Sequence, residues 1–407
     1  MRLMEVKEPE AVLILIRETF KTLNWEQINL EVAGGRVVAE EVQALEDVPG
    51  FHRSLVDGYA LQAANTFGAG ESFPALFQLH GEIQMGEAAP ALPANGALYI
   101  PTGGMLPEGA DAVIMIEDTA VLGDLLNCYR QVAPGDNVIR KGEDLAKGQV
   151  AIPAGRRIRA AEIGLLAALG IQELKVTRRP VVGILATGNE IVPYGTLELK
   201  PGQVRDCNTL AVGDMAKKLG AEVVFGGILE DDYPVFRREM ENLLNKVDFL
   251  VLSGGSSVGT RDYTWRVLDS LSNGNFLAAG LAIQPGKPTL LVDCGGKPIL
   301  GLPGHPVSAL NIFNIFGTAI IQRLKGLDEH LFSPTVRAIL TRNIPSSIGR
   351  TDYVRVRLEQ KYGLVEAIPV FGRSSLLHTL AEAHGVITIP AGSEGLRAGV
   401  EVDVQLR

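Results

Sequence analysis

The spacing of apolar positions changes along the chain, and each change marks an element. Val12, Ile16, Phe20 and Leu23 recur at steps of three and four, which predicts an amphipathic helix over residues 9–23. Residues 28–42 read as two strands around a Gly34-Gly35 turn. Between 47 and 146, short apolar runs such as 97–100 and 112–116 alternate with Pro and Gly, so this stretch reads as β-rich with no long helix. Residues 159–169 form one apolar helical run, and Thr177-Arg178-Arg179-Pro180 marks a boundary.

From residue 180 to about 325 the rhythm becomes strand, helix, strand. Strands are predicted at 181–186, 222–225, 249–252 and 299–302, and helices at 209–219, 234–246, 263–271 and 307–324. Asn208 and Asp232 stand where helix caps belong. This alternation predicts a doubly wound α/β domain, a mostly parallel sheet with helices on both faces. From 332 to 407 period two returns, as in Asp352-Tyr353-Val354-Arg355-Val356-Arg357-Leu358, and predicts a small terminal β domain. Residues 298–322 carry no formal charge, but Pro298, Pro303 and Pro306 break their start. The continuous helix at 307–321 would reach only about 22 Å, short of a roughly 30 Å hydrocarbon core. With a polar stripe of Ser308, Asn311, Asn314, Thr318 and Gln322, it reads as a half-buried helix, and no membrane partner is expected.

Length and charge narrow the class. The 407 residues suit roughly three domains. A net charge of −9 without a Lys/Arg run argues against a nucleic-acid or membrane-surface binder. Cys128, Cys207 and Cys294 are far apart in sequence, so no CxxC pair is present; the count fits a reducing cytosol. Residues 1–9 do not open as a signal peptide, and a cytoplasmic setting is expected.

Three loops each follow a predicted strand directly: Thr187-Gly188-Asn189-Glu190, residues 253–259 (SGGSSVG), and Pro303-Gly304-His305-Pro306. In an open parallel sheet, ligands bind at the carboxyl ends of the strands. Glycine lets backbone approach an anion, and the helix opening at Val307 adds partial positive charge. Any one such loop is more simply a tight turn; three in one domain favour a ligand site. Glu190, Asp231, Asp232 and Asp262 lie near these loops. Carboxylates beside a phosphate call for a hard cation such as Mg²⁺, although Asp232 and Asp262 also suit helix caps. Lys287, in Gln284-Pro285-Gly286-Lys287-Pro288, is either an anion contact or a solvated turn lysine.

Taken together the motifs resemble the molybdopterin molybdenumtransferase family, the molybdenum-insertion enzymes related to the E domain of gephyrin. The resemblance rests on FHRSLVDGYA (51–60), IPTGGMLPEGADAVI (100–114), KGEDL (141–145), ATGNEI (186–191), PGQVRDCNT (201–209), SGGSSVGTRDY (253–263), QPGKP (284–288) and GLPGHPVSAL (301–310). It implies a split α+β linker and dimerisation domain (1–46 and 147–177), an inserted β-rich domain (47–146), an α/β molybdopterin-binding domain (178–328) and a C-terminal β-barrel (329–407). It further implies a homodimer whose cleft joins the α/β domain of one subunit to the inserted domain of the other, and an adenylyltransferase of the same pathway as partner.

The implied reaction takes adenylylated molybdopterin and molybdate to molybdenum cofactor and AMP, assisted by Mg²⁺. By the resemblance, Asp57, Thr102, Asp144, Glu190, Asp231 and Asp262 would be catalytic, with Glu190, Asp231 and Asp262 holding metal. Ser253, Gly254, Gly255, Ser257, Pro303, Gly304 and Pro306 would bind the pterin phosphates. Lys287, Ser308, Arg355, and Ser374 or Ser375 would bind molybdate. The pattern departs at Gln284, where the family often has Lys, at His305, often Asn, and at His52, often Asp. A tungstate-inserting variant, a non-catalytic pterin-binding scaffold and a CinA-like hydrolase are the alternatives.

Overall fold

Strand Val181–Thr187 organises the largest part of the molecule. Val182 and Ile184 enter one core with Phe249, Val251, Leu300 and Leu302, whereas Leu185 enters a second with Leu250, Leu252 and Ile299. A sheet apolar on both faces needs cover on both. Helices Asn208–Lys218 and Pro306–Leu324 cover the first face through Val212, Ala216, Ile312, Phe313 and Phe316. Helices Tyr233–Leu244 and Arg261–Ser272 cover the second through Phe236, Met240, Val267 and Leu268. Burying each such side chain contributes roughly 1.5–3 kcal/mol. The strand order is Glu222–Leu229, Val181–Thr187, Phe249–Gly254, Lys297–Leu302, Leu290–Cys294, Phe276–Ala279. The first four are parallel, and Leu290–Cys294 pairs antiparallel with its neighbour on each side, so the domain is doubly wound α/β as expected. The computed structural model describes residues 6–230, 232–254, 261–327 and 334–406.

Helix Pro306–Leu324 runs 19 residues, one more than the expected 307–324, and passes through a π turn at Phe313–Gly317. It would cross a membrane by length and composition alone, but 61% of its apolar window is buried. Its polar stripe is partly buried too: the Asn311 amide donates to Pro285 O at 3.0 Å. Helix Pro9–Thr19 packs Val12 and Ile16 onto the same face of the sheet.

The hairpin expected at 28–42 does not form. Trp25–Asn29 pairs antiparallel with Glu173–Thr177, Leu30–Val32 makes a 3₁₀ turn, and Val38 bridges Val176. Tertiary burial overrides the local turn signal: Leu30, Ala33 and Val38 share a core with Ile152, Ile158, Leu166, Leu174 and Val176. The segments flanking the inserted lobe therefore pair with each other, and Val42–Gln43 likewise pairs with Val150–Ile152. The lobe itself is a six-stranded sheet ordered Ala112–Met115, Gly58–Leu61, Gly96–Ile100, Ala75–Glu82, Leu125–Cys128, Thr119–Leu122.

The C-terminal strands close on themselves. Thr351–Lys361 pairs with Leu364–Pro369 and with Gly385–Ile389; Thr335–Leu340 pairs with Leu364–Pro369 and Glu401–Leu406; Gly385–Ile389 pairs with Glu401–Leu406. This is a closed barrel filled by Ala338, Leu340, Val356, Ala367, Ile387 and Val404. Ile283–Gln284, from the α/β domain, adds to the barrel strand at Thr351 and Asp352. That join brings the Lys287 loop beside the barrel.

Candidate active site

Parallel pairing sets the carboxyl ends of three strands side by side. Thr187 is opposite Gly254, and Ser253 is opposite Leu302. The ends of these strands therefore share one rim. Gly254 has φ +101° and lies so close to Thr187 O that a side chain would press on that carbonyl, a geometry only glycine adopts without strain. A Cβ on Gly304 would meet Gly254 Cα at 3.8 Å, so the second and third loops touch. Asn208 ties them: its amide donates to Ser253 Oγ and to Gly304 O, each at 2.9 Å.

Helix Pro306–Leu324 opens at this rim, where Ala309 N–H donates to His305 O at 2.9 Å. Its first turn directs partial positive charge at the loops. Ser308 is buried there and lines the cleft. The Lys287 loop is braced from beneath. Thr289 Oγ1 donates to Gly286 O at 2.6 Å, Asn311 Nδ2 to Pro285 O, and Gly286, at φ +130°, packs against Ile312.

The barrel forms the facing wall. Arg355 is 7% exposed, and its Nη2 donates to Gly372 O at 3.3 Å while its buried Nε has no hydrogen-bond partner. Burial lowers this guanidinium from its usual value, and an unpartnered buried donor costs about 1–3 kcal/mol. Arg350 pairs with Asp352 at 2.9 Å. Ser374 joins barrel to rim: its hydroxyl lies 2.7 Å from His305 Nδ1, and its carbonyl accepts from Val307 N–H at 3.1 Å.

Rim and barrel enclose a cleft of about 1380 Å³. Arg205, Lys287, Arg350, Arg355 and Arg373 line it, against Glu190, Asp206 and Asp352. The cleft thus carries two more cations than carboxylates in a chain of net charge −9. It can take an anion, orient it by backbone N–H groups and a helix terminus, and neutralise it with Lys287 and Arg355. Glu190 Oε2 would lie 2.8 Å from a Cβ on Gly188, so its carboxylate rests over the first loop. Glu190 and Asp206 are hard oxygen donors of the kind Mg²⁺ takes one or two at a time beside a phosphate. No group of three or more metal-binding side chains occurs among the described residues.

Comparison with known proteins gives this arrangement a family. Residues 6–170 match the MoeA N-terminal region (domain I and II), 183–323 a probable molybdopterin binding domain, and 337–406 the MoeA C-terminal region (domain IV). The chain belongs to the MoeA family. It is 33% identical over 387 residues to the molybdopterin molybdenumtransferase of Bacillus subtilis, covering 94% of this chain and 89% of the relative. It is 34% identical over 389 residues to that of Haemophilus influenzae, covering 93% of each. The solved molybdopterin biosynthesis MoeA protein of Pyrococcus horikoshii OT3 matches with a TM-score of 0.86 at 30% identity, over 99% of this chain and 100% of that one.

Within this MoeA chain, Glu190, Ser253, Gly254, Lys287, Pro303, Gly304, Pro306, Ser308, Arg355, Ser374 and Ser375 all line the one cleft. Asp57, Thr102 and Asp144 do not line it. Asp57 and Thr102 do meet: Asp57 Oδ1 accepts from Thr102 N–H at 2.7 Å and from its hydroxyl at 2.9 Å. Those bonds hold the Asp57 carboxyl below its usual range. Asp144 is exposed, and its N–H donates to Val48 O. Gly255, Ser257 and Asp231 lie outside the described residues, as does the Asp262 side chain.

Two cap readings resolve differently. Asp232 Oδ1 accepts from Val235 N–H at 3.0 Å, so it caps. Asn208 does not cap; Asp206 accepts from Thr209 N–H at 3.1 Å, which frees the Asn208 amide to stitch the loops. Asp206 and Arg373 are cleft residues that sequence reasoning missed. The clue to Asp206 lay in Asp206-Cys207-Asn208-Thr209, where two Asx residues precede one helix; Arg373 had no local signal.

Proposed function

We propose that this protein is a molybdopterin molybdenumtransferase that inserts molybdate into adenylylated molybdopterin and releases AMP to give molybdenum cofactor. The observation that carries the reading is the meeting, in one cleft of a MoeA-family chain, of Glu190, Ser253, Gly254 and the Pro303–Pro306 turn, at three strand ends, with Lys287 and Arg355. The names of the Bacillus and Haemophilus relatives support the same activity.

In this reading the Ser253-Gly254-Gly255 and Ser257 turn and the Pro303–Pro306 turn hold the phosphates of the pterin substrate through backbone N–H groups and the helix opening at Pro306. Asn208 keeps the two turns together. Lys287, Ser308, Arg355 and Ser374 or Ser375 bind molybdate, a dianion that needs donors and cations. Glu190, with Asp231 and Asp262, would hold Mg²⁺, which would supply positive charge beside the phosphate. The sulfurs that accept molybdenum belong to the pterin, so no cysteine is required. Burial raises the Cys207 thiol above its usual value, which suits an unreactive side chain.

Asp57, Thr102 and Asp144 act on the cleft of a partner subunit in a cytoplasmic homodimer. Two observations support this: they lie off the cleft of their own chain, and Asp57 is exposed and held ionised by Thr102. The corresponding domains are 1–46 with 147–177, 47–146, 178–328 and 329–407. An adenylyltransferase is the class of enzyme that must supply the substrate.

The test is incubation of the purified protein with adenylylated molybdopterin, Mg²⁺ and either molybdate or tungstate, following AMP and cofactor. Wild type is expected to release AMP with molybdate. Glu190→Ala and Asp57→Ala are each expected to lower that release by about 100-fold with the dimer intact by light scattering. Full activity in both variants overturns the site assignment; no AMP with either oxyanion leaves a pterin-binding carrier.

A further inference from the structure

The cleft's cations are not alike. Arg350 is paired with Asp352 at 2.9 Å. Arg205 is turned aside, donating to Thr196 O at 2.7 Å and Leu197 O at 2.8 Å. Arg373 also lines the cleft, yet its guanidinium forms no hydrogen bond or ion pair among the described residues. The backbone on either side of it is nevertheless tied down. Val370 N–H donates to Arg355 O at 2.9 Å, and Arg355 Nη2 donates to Gly372 O at 3.3 Å. On the other side, Ser374 O accepts from Val307 N–H and Ser374 Oγ meets His305 Nδ1 at 2.7 Å.

We infer that Arg373 is a substrate contact: its guanidinium binds a doubly charged tetrahedral oxyanion at the seam between the barrel and the α/β rim. The inference rests on the reading of this cleft as an oxyanion site. An arginine presents parallel N–H donors that match two oxygens of such an anion, and fixing its backbone lowers the ordering cost of binding. A dianion beside Glu190 needs more positive charge than Lys287 alone supplies. Arg355 faces it with one unpartnered Nε, already buried. Arg373 is the exposed counterpart on the same wall, set between the Ser374 carbonyl that receives Val307 N–H at the start of the rim helix and the Gly372 carbonyl that Arg355 holds. Molybdate and a substrate phosphate share this chemistry.

Titration calorimetry of the full chain separates them, with sodium molybdate in one arm and inorganic pyrophosphate in the other, each at low and high salt. Arg373→Gln is expected to weaken one of the two anions about tenfold and to flatten its salt dependence. Arg373→Lys is expected to recover part of the loss. Arg342→Gln makes the same charge change on the barrel away from the cleft lining, and is expected to leave both affinities unchanged. Thermal unfolding at the wild-type temperature accompanies each variant. Loss confined to molybdate assigns Arg373 to the metal oxyanion; loss confined to pyrophosphate assigns it to the pterin phosphates. Equal affinity of Arg373→Gln and wild type for both anions, or the same loss in Arg342→Gln, overturns the inference. Wild type that binds neither anion overturns the oxyanion reading of the cleft itself.

Discussion

In the inserted lobe, Asp57 is satisfied by a neighbouring turn of the same lobe, because one carboxylate oxygen takes both the N–H and the hydroxyl of Thr102. Across the α/β–barrel cleft the balance is reversed. Arg355 is buried with a free Nε, and Arg373 has no partner among the described residues. A satisfied pair states a structural role: the turn sets the charge state of one carboxylate and then presents it. Unsatisfied cationic donors on a braced wall state a binding role, since their cost is offset only when an anion arrives. The two regions divide the proposed work accordingly, one presenting a carboxylate and the other gripping an anion.

The largest expected effect tests whether the rim is limited by backbone. Gly254→Ala forces a side chain onto Thr187 O at a positive φ and is expected to destabilise the protein by about 2–4 kcal/mol in denaturant unfolding. Gly304→Ala, one loop away, meets Gly254 Cα only at ordinary contact distance and is expected to stay within about 0.5 kcal/mol of wild type. Equal losses would break the contrast.

Asn208→Ala comes next. It removes both bonds that join the second and third loops and is expected to cost about 1–3 kcal/mol of stability. Because it acts by positioning, KM for the pterin substrate is expected to rise more than kcat falls; a change in kcat alone would make Asn208 a catalytic group instead.

The smallest effect belongs to the lobe. Thr102→Val keeps the N–H donor and deletes the hydroxyl donor to Asp57. The Asp57 carboxyl is therefore expected to titrate higher, closer to its ordinary value, in a carboxyl NMR titration. Its folded pKa is depressed, so its contribution to stability is present above the ordinary carboxylate range and fades as pH falls through the depressed value. Thr102→Val narrows that window. An unchanged Asp57 titration would assign the whole depression to the Thr102 N–H.

Local patterns announced much of this. Residues 249–252 read as a strand, and Phe249–Gly254 is one. Asp232 stood before an apolar run and caps it. The glycines at 254 and 304 marked loops that do share a rim. Where local pattern failed, a distant partner had decided the outcome. Gly34-Gly35 suggested a hairpin, but Trp25–Asn29 found Glu173–Thr177 across the inserted lobe. Asn208 resembled a cap, but Asp206 accepts the Thr209 N–H in its place, and Ser253 and Gly304 claim its amide.

Periodicity and turn residues, set by burial and by φ/ψ limits within a few residues, determined which elements this chain makes and that three glycine-bearing turns follow its strands. Which polar groups would be left facing each other was decided only in three dimensions. Arg355 and Arg373 reach the strand-end loops because Ile283–Gln284 joins the barrel and Ser374 contacts the rim. Those contacts link residues far apart in the chain, and the free energy that selects them comes from packing whole domains together, which short-range spacing does not encode.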